Sequence, residues 1–197
     1  MSAFKEVVQF ALTGNHSDCD FLFRAEARNE ISARLLVWAR SIQKFGGFSE
    51  DKSFLIASII GEIANNSFDH NLGKWTDQVG CLISLDFLPD RLRLAIVDRG
   101  QGIANSLKVV RPHLINRDEY LIIAFEQIVS GRAPEQRGNG LKYVRKNFQN
   151  ASGLELICLS SGAKYRAGGQ HNLENALTEV SGFSGTLVAL DWPKESI

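Results

Sequence analysis

GEIANNSFDHN, residues 61–71, follows the apolar run FLIASII of residues 54–60 without a break. At 3.6 residues per turn, one α-helix over both segments would place Glu62, Asn66 and His70 along a line, because residues four apart share a face. The isoleucines of the helix occupy the side next to that line, at Ile56, Ile59, Ile60 and Ile63. The sequence therefore predicts a helix that packs its apolar side in a core and carries a carboxylate, an amide and an imidazole beside it.

This polar stripe has two interpretations. A solvated face near the end of a helix is common, and Asp69 would belong to it, since it falls on the same side as Glu62 and Asn66. Two features favour a binding role instead. Asn65 and Asn66 lie inside the helix, where asparagine is unfavourable, and the stripe has no Lys or Arg to pair with its acids. A carboxylate and an amide oxygen, together with phosphate oxygens, are the ligands that Mg²⁺ prefers.

Composition limits the classes of protein to consider. The chain has 197 residues with 44% hydrophobic and 22% charged residues, which suits one globular domain, or one domain with an added terminal element. Lys+Arg and Asp+Glu are equal at 22 each, so no broad basic surface for nucleic acid is expected. The 3 cysteines are far apart, which favours reduced thiols in a cytoplasmic protein. No signal peptide or membrane-spanning run is recognised.

Hydrophobic periodicity predicts helices and strands along most of the chain. The predicted helices cover residues 2–12, 27–45, 49–71, 118–129 and 139–150, with Ser49 as a cap of the third. The predicted strands cover residues 20–27, 80–87, 91–98, 153–160 and 185–192. The turn LPD, residues 88–90, would join two of these strands as a hairpin, and the glycine-rich segment 161–172 is expected to be a long connection. Helices first, then strands and helices interleaved, predict an α/β sandwich with a mixed sheet.

A glycine turn follows the strand of residues 91–98. In VDRGQGI, residues 97–103, Asp98 ends the strand, and Gly100 and Gly102 form the turn. A tight turn that needs positive φ is an equally simple interpretation of these glycines. A Rossmann fingerprint fits poorly, because its third glycine would fall on Asn105, and no G-K-[ST] of a P-loop is present.

A second glycine turn, RGNGL at residues 137–141, leads directly into a predicted helix. Backbone N–H groups at a helix N-terminus attract phosphate, and Gly138 and Gly140 would let it approach closely, with Arg137 and Lys142 adding positive charge. The simpler interpretation is an ordinary loop-to-helix junction. Gly185 and Thr186 begin the last predicted strand, and on their own they do not indicate a binding role.

Taken together and in this order, these pieces resemble the motifs of the GHKL ATPase superfamily, which has the Bergerat ATP-binding fold. That superfamily includes gyrase, heat-shock chaperone, histidine kinase and mismatch-repair ATPases and the bacterial anti-sigma-factor serine kinases. The resemblance covers roughly residues 20–193. Its N box matches Glu62, Asn66 and His70, its first glycine box Asp98, Gly100 and Gly102, its second Gly138, Gly140 and Leu141, and its closing G-T Gly185 and Thr186.

The resemblance implies a fold and a set of roles. The fold would be a two-layer α/β sandwich with a mixed, largely antiparallel sheet covered on one face by helices. Asp98 would accept a hydrogen bond from the adenine amino group of ATP, Asn66 would coordinate Mg²⁺, and Glu62 would be the general base. The implied nucleotide-binding residues are Asn66, His70, Asp98, Gly100, Gly102, Ile103, Arg137, Gly138, Asn139, Gly140, Leu141 and Thr186.

Within the superfamily the chain is most similar to stand-alone anti-sigma-type kinases, which implies a cytoplasmic serine/threonine kinase or partner-switching regulator. Its partners would be ATP or ADP and a regulatory protein of antagonist or sigma type, with neither nucleic acid nor membrane contacted directly. A non-catalytic ATP-sensing module and a detached histidine-kinase domain stay open as alternatives, as does a homodimer. The predicted division is an N-terminal helical extension, residues 1–18, followed by a histidine-kinase-like ATPase domain, residues 19–197.

Overall fold

The computed structural model of the chain describes residues 2–71, 73–109, 111–127, 140–149, 153–169, 172–180 and 182–194, with only the backbone of His70 and Gln149. These residues form six strands and seven helices. The strands are β1 (Leu22–Ala25), β2 (Cys81–Phe87), β3 (Arg91–Asp98), β4 (Glu155–Ser160), β5 (Ala163–Gly168) and β6 (Thr186–Pro193). The helices are α1 (Ala3–Thr13), α2 (Arg28–Gly46), α3 (Glu50–Asn71), α4 (Ile103–Lys108), α5 (Arg117–Glu126), α6 (Gly140–Gln149) and α7 (Asn172–Ala176).

The strands form one sheet in the order β1-β2-β3-β6-β4-β5. This confirms the α/β sandwich expected from the sequence. The sequence predicted a mixed, largely antiparallel sheet. All five pairings among the described strands are antiparallel, so the prediction of a mixed sheet is wrong. The hairpin of β2 and β3 around LPD is confirmed, with Cys81 opposite Asp98 at its open end.

Alternation along the strands divides the sheet into two faces. On β3, Leu92, Leu94 and Ile96 pack with α2 to α6 in the main core, whereas Ala95 and Val97 face a second cluster on the other side. Asp98 continues the series of residues 92, 94 and 96, so its side chain belongs to the face that carries α3. The alternation of side chains along β3 therefore puts the Asp98 carboxylate on the same side of the sheet as the polar stripe of α3.

Helix α3 is the main support of that face. Ser49 precedes it, and its Oγ accepts a hydrogen bond from the Lys52 N–H at 3.4 Å, as expected for a cap. The predicted isoleucine side is fully buried in the main core, at Ile56, Ile59, Ile60 and Ile63. Each such side chain contributes about 1.5–3 kcal/mol when it is removed from water, so the orientation of α3 on the sheet is strongly fixed.

Helix α1 covers part of the opposite face. Its apolar residues, Phe4, Val7 and Phe10, are buried in the second cluster against β2, β3 and β6. At its C-terminus, the Arg99 guanidinium donates hydrogen bonds to the carbonyls of Phe10 and Ala11. The residue after Asp98 therefore ties α1 to the end of β3.

The predicted helices and strands are largely confirmed, with three corrections. The glycine-rich segment 161–172, expected to be a connection, contains strand β5, whose Ala163 and Tyr165 are buried while Lys164 is exposed. That alternation is short and was obscured by the surrounding glycines. The short helices α4 and α7 were not predicted, because six and five residues are too few to show a helical period. No helix among the described residues is both long and apolar enough to cross a membrane.

Candidate functional site

Four side chains form a row across the helix-bearing face of the sheet, at one end of the strands. The pairing register sets Cys81 of β2 beside Asp98 of β3, Asp98 beside Thr186 of β6, and Thr186 beside Ser160 of β4. The hydroxyls of Ser160 and Thr186 are 3.1 Å apart and share a hydrogen bond. The row forms the polar end of a surface that is apolar further along the same strands.

A pocket opens between this row and α3. Its apolar lining consists of Ile63, Ile96, Ile103, Leu141 and Val188, and its polar lining of Asn66, Ser67, Asn71, Asp98 and Thr186, with Gly102 at the turn. The structure thus brings together six of the predicted site residues, namely Asn66, Asp98, Gly102, Ile103, Leu141 and Thr186. An apolar slot with a few convergent polar groups is the usual form of a small-molecule site.

Asp98 is the charged group of the pocket. It is 3% exposed, and its Oδ1 accepts hydrogen bonds from the Asn71 Nδ2 and the Gly100 N–H, both at 2.9 Å. No cation among the described residues forms an ion pair with it. Burial raises the pKa of Asp98 from 3.8 to about 6, against the opposing hydrogen bonds, which include one from Ser67. A carboxylate kept unpaired at the wall of a pocket is suited to accept a hydrogen bond from a ligand.

The two glycines of the first turn are required for different reasons. Gly102 has φ +79°, and a Cβ there would overlap the Ser161 Oγ and approach the Gly185 carbonyl, so the expected positive φ is found at this position. Gly100 is not among the positive-φ glycines. Its missing side chain leaves the space that the Asn71 amide occupies.

Side chains from distant segments hold the backbone of this turn. Ser184 donates to the Gly100 carbonyl at 3.0 Å, Ser161 donates to the Gln101 carbonyl at 3.1 Å, and Ser160 accepts from the Ile103 N–H at 2.8 Å. These serines come from the β4–β5 turn and from the approach to β6. The turn is therefore preorganised, and its supports were missed in the sequence because only the folded sheet brings them together.

The polar stripe of α3 divides between two environments. Asn66 lines the pocket, and its Nδ2 is buried with no hydrogen-bond partner among the described residues. Glu62 is exposed at the edge, with its carboxylate against the first residue of α6, Gly140, where a Cβ would overlap the Glu62 Oε2. Asp69 forms an ion pair with Arg28 of α2. The N box and the second glycine turn therefore meet, whereas Asp69 supports the packing of the two helices.

Some predicted residues cannot be placed. Arg137, Gly138 and Asn139 lie outside the described residues, as does the side chain of His70. Gly140 and Leu141, which follow them, reach the site. Asn65, whose role was unassigned, has an Oδ1 that is buried and finds no hydrogen-bond partner within the described ranges.

The residues at the site could hold a magnesium ion only together with a bound ligand that supplies further oxygen atoms. No group of three or more His, Cys, Asp or Glu in the described part of the chain could hold a metal by itself. The Asn66 Nδ2, which has no partner in the described part of the chain, and the Glu62 carboxylate are one helical turn apart, and rotating the Asn66 amide would present its oxygen at the site. Mg²⁺ is commonly held by one or two such groups plus substrate phosphates and water.

Replacing Gly102 with alanine should test the turn. We expect the free energy of unfolding to fall by about 3–5 kcal/mol, because the variant combines a backbone conformation essentially confined to glycine, φ 79° and ψ 157°, with a steric overlap. Gly47→Ala is the control for positive φ without overlap, since Gly47 is left-handed helical, with φ 73° and ψ 19°, and has nothing within 4 Å of an added Cβ. Its loss should be only about 1 kcal/mol. Urea unfolding of both variants measures the difference, and equal losses would mean that Ser161 and Gly185 do not confine the turn.

Comparison with known proteins gives little beyond this geometry. No protein-family model matches the chain, and no curated protein matches it. Among solved structures it is similar to the histidine kinase domain from the Erythrobacter litoralis EL346 blue-light activated histidine kinase. The two are 15% identical, with a TM-score of 0.38, over 97% of this chain and 74% of that one. A TM-score this low does not establish a family, so function must be inferred from the side chains of the site.

Proposed function

We propose that the pocket binds Mg-ATP and that the chain is a GHKL-type ATP-binding domain. The observation that carries this proposal is Asp98, a buried carboxylate without a cation partner in the described residues, at the polar end of an apolar slot. An adenine ring is flat and apolar on its faces and carries an amino donor at one edge. Ile96 and Val188 would contact the face of the ring, and the Asp98 carboxylate would accept from its amino group.

The same geometry would discriminate between purines. Guanine has a carbonyl oxygen where adenine has its amino group, so it would place an acceptor against the Asp98 carboxylate. A buried pair of acceptors is left unsatisfied, and such mismatches cost far more than a lost hydrogen bond. Thr186 would support the base at the same edge of the pocket, although its hydroxyl already shares a hydrogen bond with Ser160.

The phosphates would extend from the base toward Asn66 and the beginning of α6. Asn66 would hold Mg²⁺, which when bound offsets the negative charge of the phosphates. Backbone N–H groups at the start of α6, from Gly140 onward, would face the phosphates, as helix N-termini commonly do. Glu62 lies beside Gly140, so its carboxylate would be close to the terminal phosphate.

Glu62 supports the finer proposal of an enzyme, a serine/threonine kinase or partner-switching regulator of anti-sigma type. As general base it would accept the proton of an attacking hydroxyl or water, and the terminal phosphoryl group would pass to that oxygen, with ADP as the leaving group. A protein that only binds ATP has no need of this carboxylate. The proposal also includes a regulatory protein partner of antagonist or sigma type and a homodimer. It further divides the chain into an N-terminal extension, residues 1–18, and an ATPase domain, residues 19–197.

Binding of ATP against GTP, followed by label transfer, tests the proposal. Calorimetry with Mg²⁺ should give ATP an affinity at least 100-fold higher than GTP, since a mismatched buried acceptor costs about 3 kcal/mol or more. Radiolabelled ATP with a cell extract should then give an acid-stable phosphoprotein, as expected for serine or threonine. An acid-labile label would indicate a histidine kinase, and binding without ADP formation a non-catalytic module. Equal affinity for the two nucleotides would contradict the assignment of Asp98.

A further inference from the structure

Asn71, the last residue of α3, lies against both the pocket and the glycine turn. It is 2% exposed and lines the pocket. Its Nδ2 donates to the Asp98 Oδ1 at 2.9 Å, and its Oδ1 accepts from the Gln101 N–H at 3.1 Å. One amide therefore connects the carboxylate, the turn and the end of α3.

We propose that Asn71 is a positioning residue that keeps the Asp98 carboxylate ionised and directs its Oδ2 toward the ligand. The identity of that ligand as ATP rests on the proposed function, whereas the action of Asn71 on Asp98 does not.

The hydrogen bonds fix the direction of the Asn71 amide. Because the Gln101 N–H is a donor, it requires the Asn71 oxygen on its side. The amide nitrogen must then face Asp98, where it can only donate. A hydrogen bond donated to a carboxylate favours the ionised form, so Asn71 opposes the effect of burial.

The same contacts determine which Asp98 oxygen is more available. Oδ1 already accepts from two N–H groups, those of Asn71 and Gly100. The Ser67 hydroxyl and the Thr186 N–H also donate to this carboxylate. A proton on Asp98 would therefore reside on Oδ2, where it would present a donor to the adenine amino group instead of an acceptor. Loss of the ionised form would thus remove the recognition of the base.

Gly100 gives independent support for a close contact. A Cβ at Gly100 would overlap the Cγ, Nδ2 and Oδ1 of Asn71. The backbone at Gly100 does not need positive φ, so room for the Asn71 amide is what requires glycine there. The first glycine of the turn is thereby explained by Asn71.

Among the residues that the structure describes, no ionised group near Asp98 offers support comparable to that of the neutral Asn71 amide. The titratable neighbours on the packed strands are the thiols of Cys81 on β2 and Cys158 on β4, and burial raises the pKa of both. Both thiols are therefore neutral near pH 7. Ser67 of α3 adds a neutral hydroxyl. The charge of Asp98 depends on burial and on hydrogen bonds, of which Asn71 supplies one.

The direct test is a carboxyl ¹³C NMR titration of Asp98 in the ligand-free protein, with its signal assigned through Asp98→Asn. The wild-type midpoint should lie near 6. Asn71→Ala should raise it by about one pH unit, the usual effect of losing a hydrogen bond to a charged group. Asn71→Asp keeps the shape and the acceptor but faces Asp98 with a second carboxylate, so it should raise the midpoint further. If Asn71→Ala fails to fold, this variant carries the test.

Asn105→Ala is the matched control. Asn105 also touches the turn, since its Nδ2 donates to the Gln101 carbonyl at 2.9 Å, but it is exposed and does not contact Asp98. In Asn105→Ala the titration midpoint of Asp98 should equal that of the wild type. An equal shift in Asn105→Ala, or no shift in the Asn71 variants, would overturn the proposal.

Nucleotide binding separates this proposal from the proposed function. At pH 5 Asn71→Ala should bind ATP roughly tenfold more weakly than the wild type, because a midpoint one pH unit higher leaves about a tenth as much ionised Asp98, and the difference should shrink at pH 9, where Asp98 is ionised in both. If the wild type binds no ATP and the NMR midpoints still shift, the proposed function fails and the role of Asn71 stands. If ATP binds and the midpoints are unchanged, the proposed function stands and the role of Asn71 fails.

Discussion

Glu62→Gln should lower ATP turnover by about 10²–10⁴-fold and leave the affinity for ATP within about twofold, which is the usual effect of removing a general base. The amide keeps the size of the side chain beside Gly140 but cannot accept a proton. Because Glu62 is exposed at the edge of the pocket and Asp98 is at its inner end, binding of the base should be unaffected. Single-turnover formation of ADP from radiolabelled ATP measures the effect.

Glu50→Gln is the control for this variant. Glu50 is an exposed glutamate in the first turn of the same helix, about 18 Å from Glu62 along the helix axis at 1.5 Å per residue. Its turnover should match the wild type. If Glu62→Gln forms ADP at the wild-type rate, Glu62 is not the base, and the non-catalytic ATP-sensing module becomes the better description.

Asp98→Asn should stabilise the ligand-free protein while it weakens ATP binding about 100-fold. The pKa of Asp98 is raised from 3.8 to about 6 by burial, so the folded state binds its proton more tightly than the unfolded state. The contribution of Asp98 to stability is therefore highest below pH 4, falls as the pH rises toward 6, and stays reduced above that. At pH 8 the neutral amide should raise the free energy of unfolding by about 1–3 kcal/mol.

Urea unfolding at pH 4 and pH 8 measures this effect, and Asp77→Asn is the contrasting control. The hydrogen bond from Arg99 lowers the pKa of Asp77, so that carboxylate stabilises the fold above pH 4 and its replacement should destabilise the protein slightly at pH 8. Opposite signs at the two aspartates would identify Asp98 as a group retained for binding. A loss of stability in Asp98→Asn at pH 8 would mean that its hydrogen bonds outweigh its burial.

The parts of the site that depend on local pattern were predicted from the sequence. Four-residue spacing predicted that Asn66 lies beside the apolar side of α3, and it lines the pocket. Asp98 was predicted as the end of a strand, and the alternation observed along β3 puts it on the face that carries α3. The contact of Glu62 with Gly140, the last glycine of the second turn, was not predicted, because the resemblance implied a role for each motif but not where the two lie relative to each other.

The parts that depend on pairing between distant segments were not predicted. Ser160 reaches Thr186 only because β4 and β6 are neighbours in this register, and no local pattern distinguishes it from other strand residues. Asn71 looked like the polar end of a helix, and its contact with Asp98 requires the angle at which α3 crosses the sheet. Asp69, assigned to the stripe by its angle on the helix, pairs instead with Arg28, because α2 packs along that side.

The central claim is that Asp98 recognises adenine, and calorimetric titration of ATP with Mg²⁺ at pH 8 into wild-type and Asp98→Asn protein tests it most directly. At that pH Asp98 is ionised, and urea unfolding shows independently whether each protein is folded. The account predicts saturable binding to the wild type and an affinity reduced about 100-fold in Asp98→Asn. Absence of binding to the folded wild-type protein, or equal affinity in the folded variant, would contradict it.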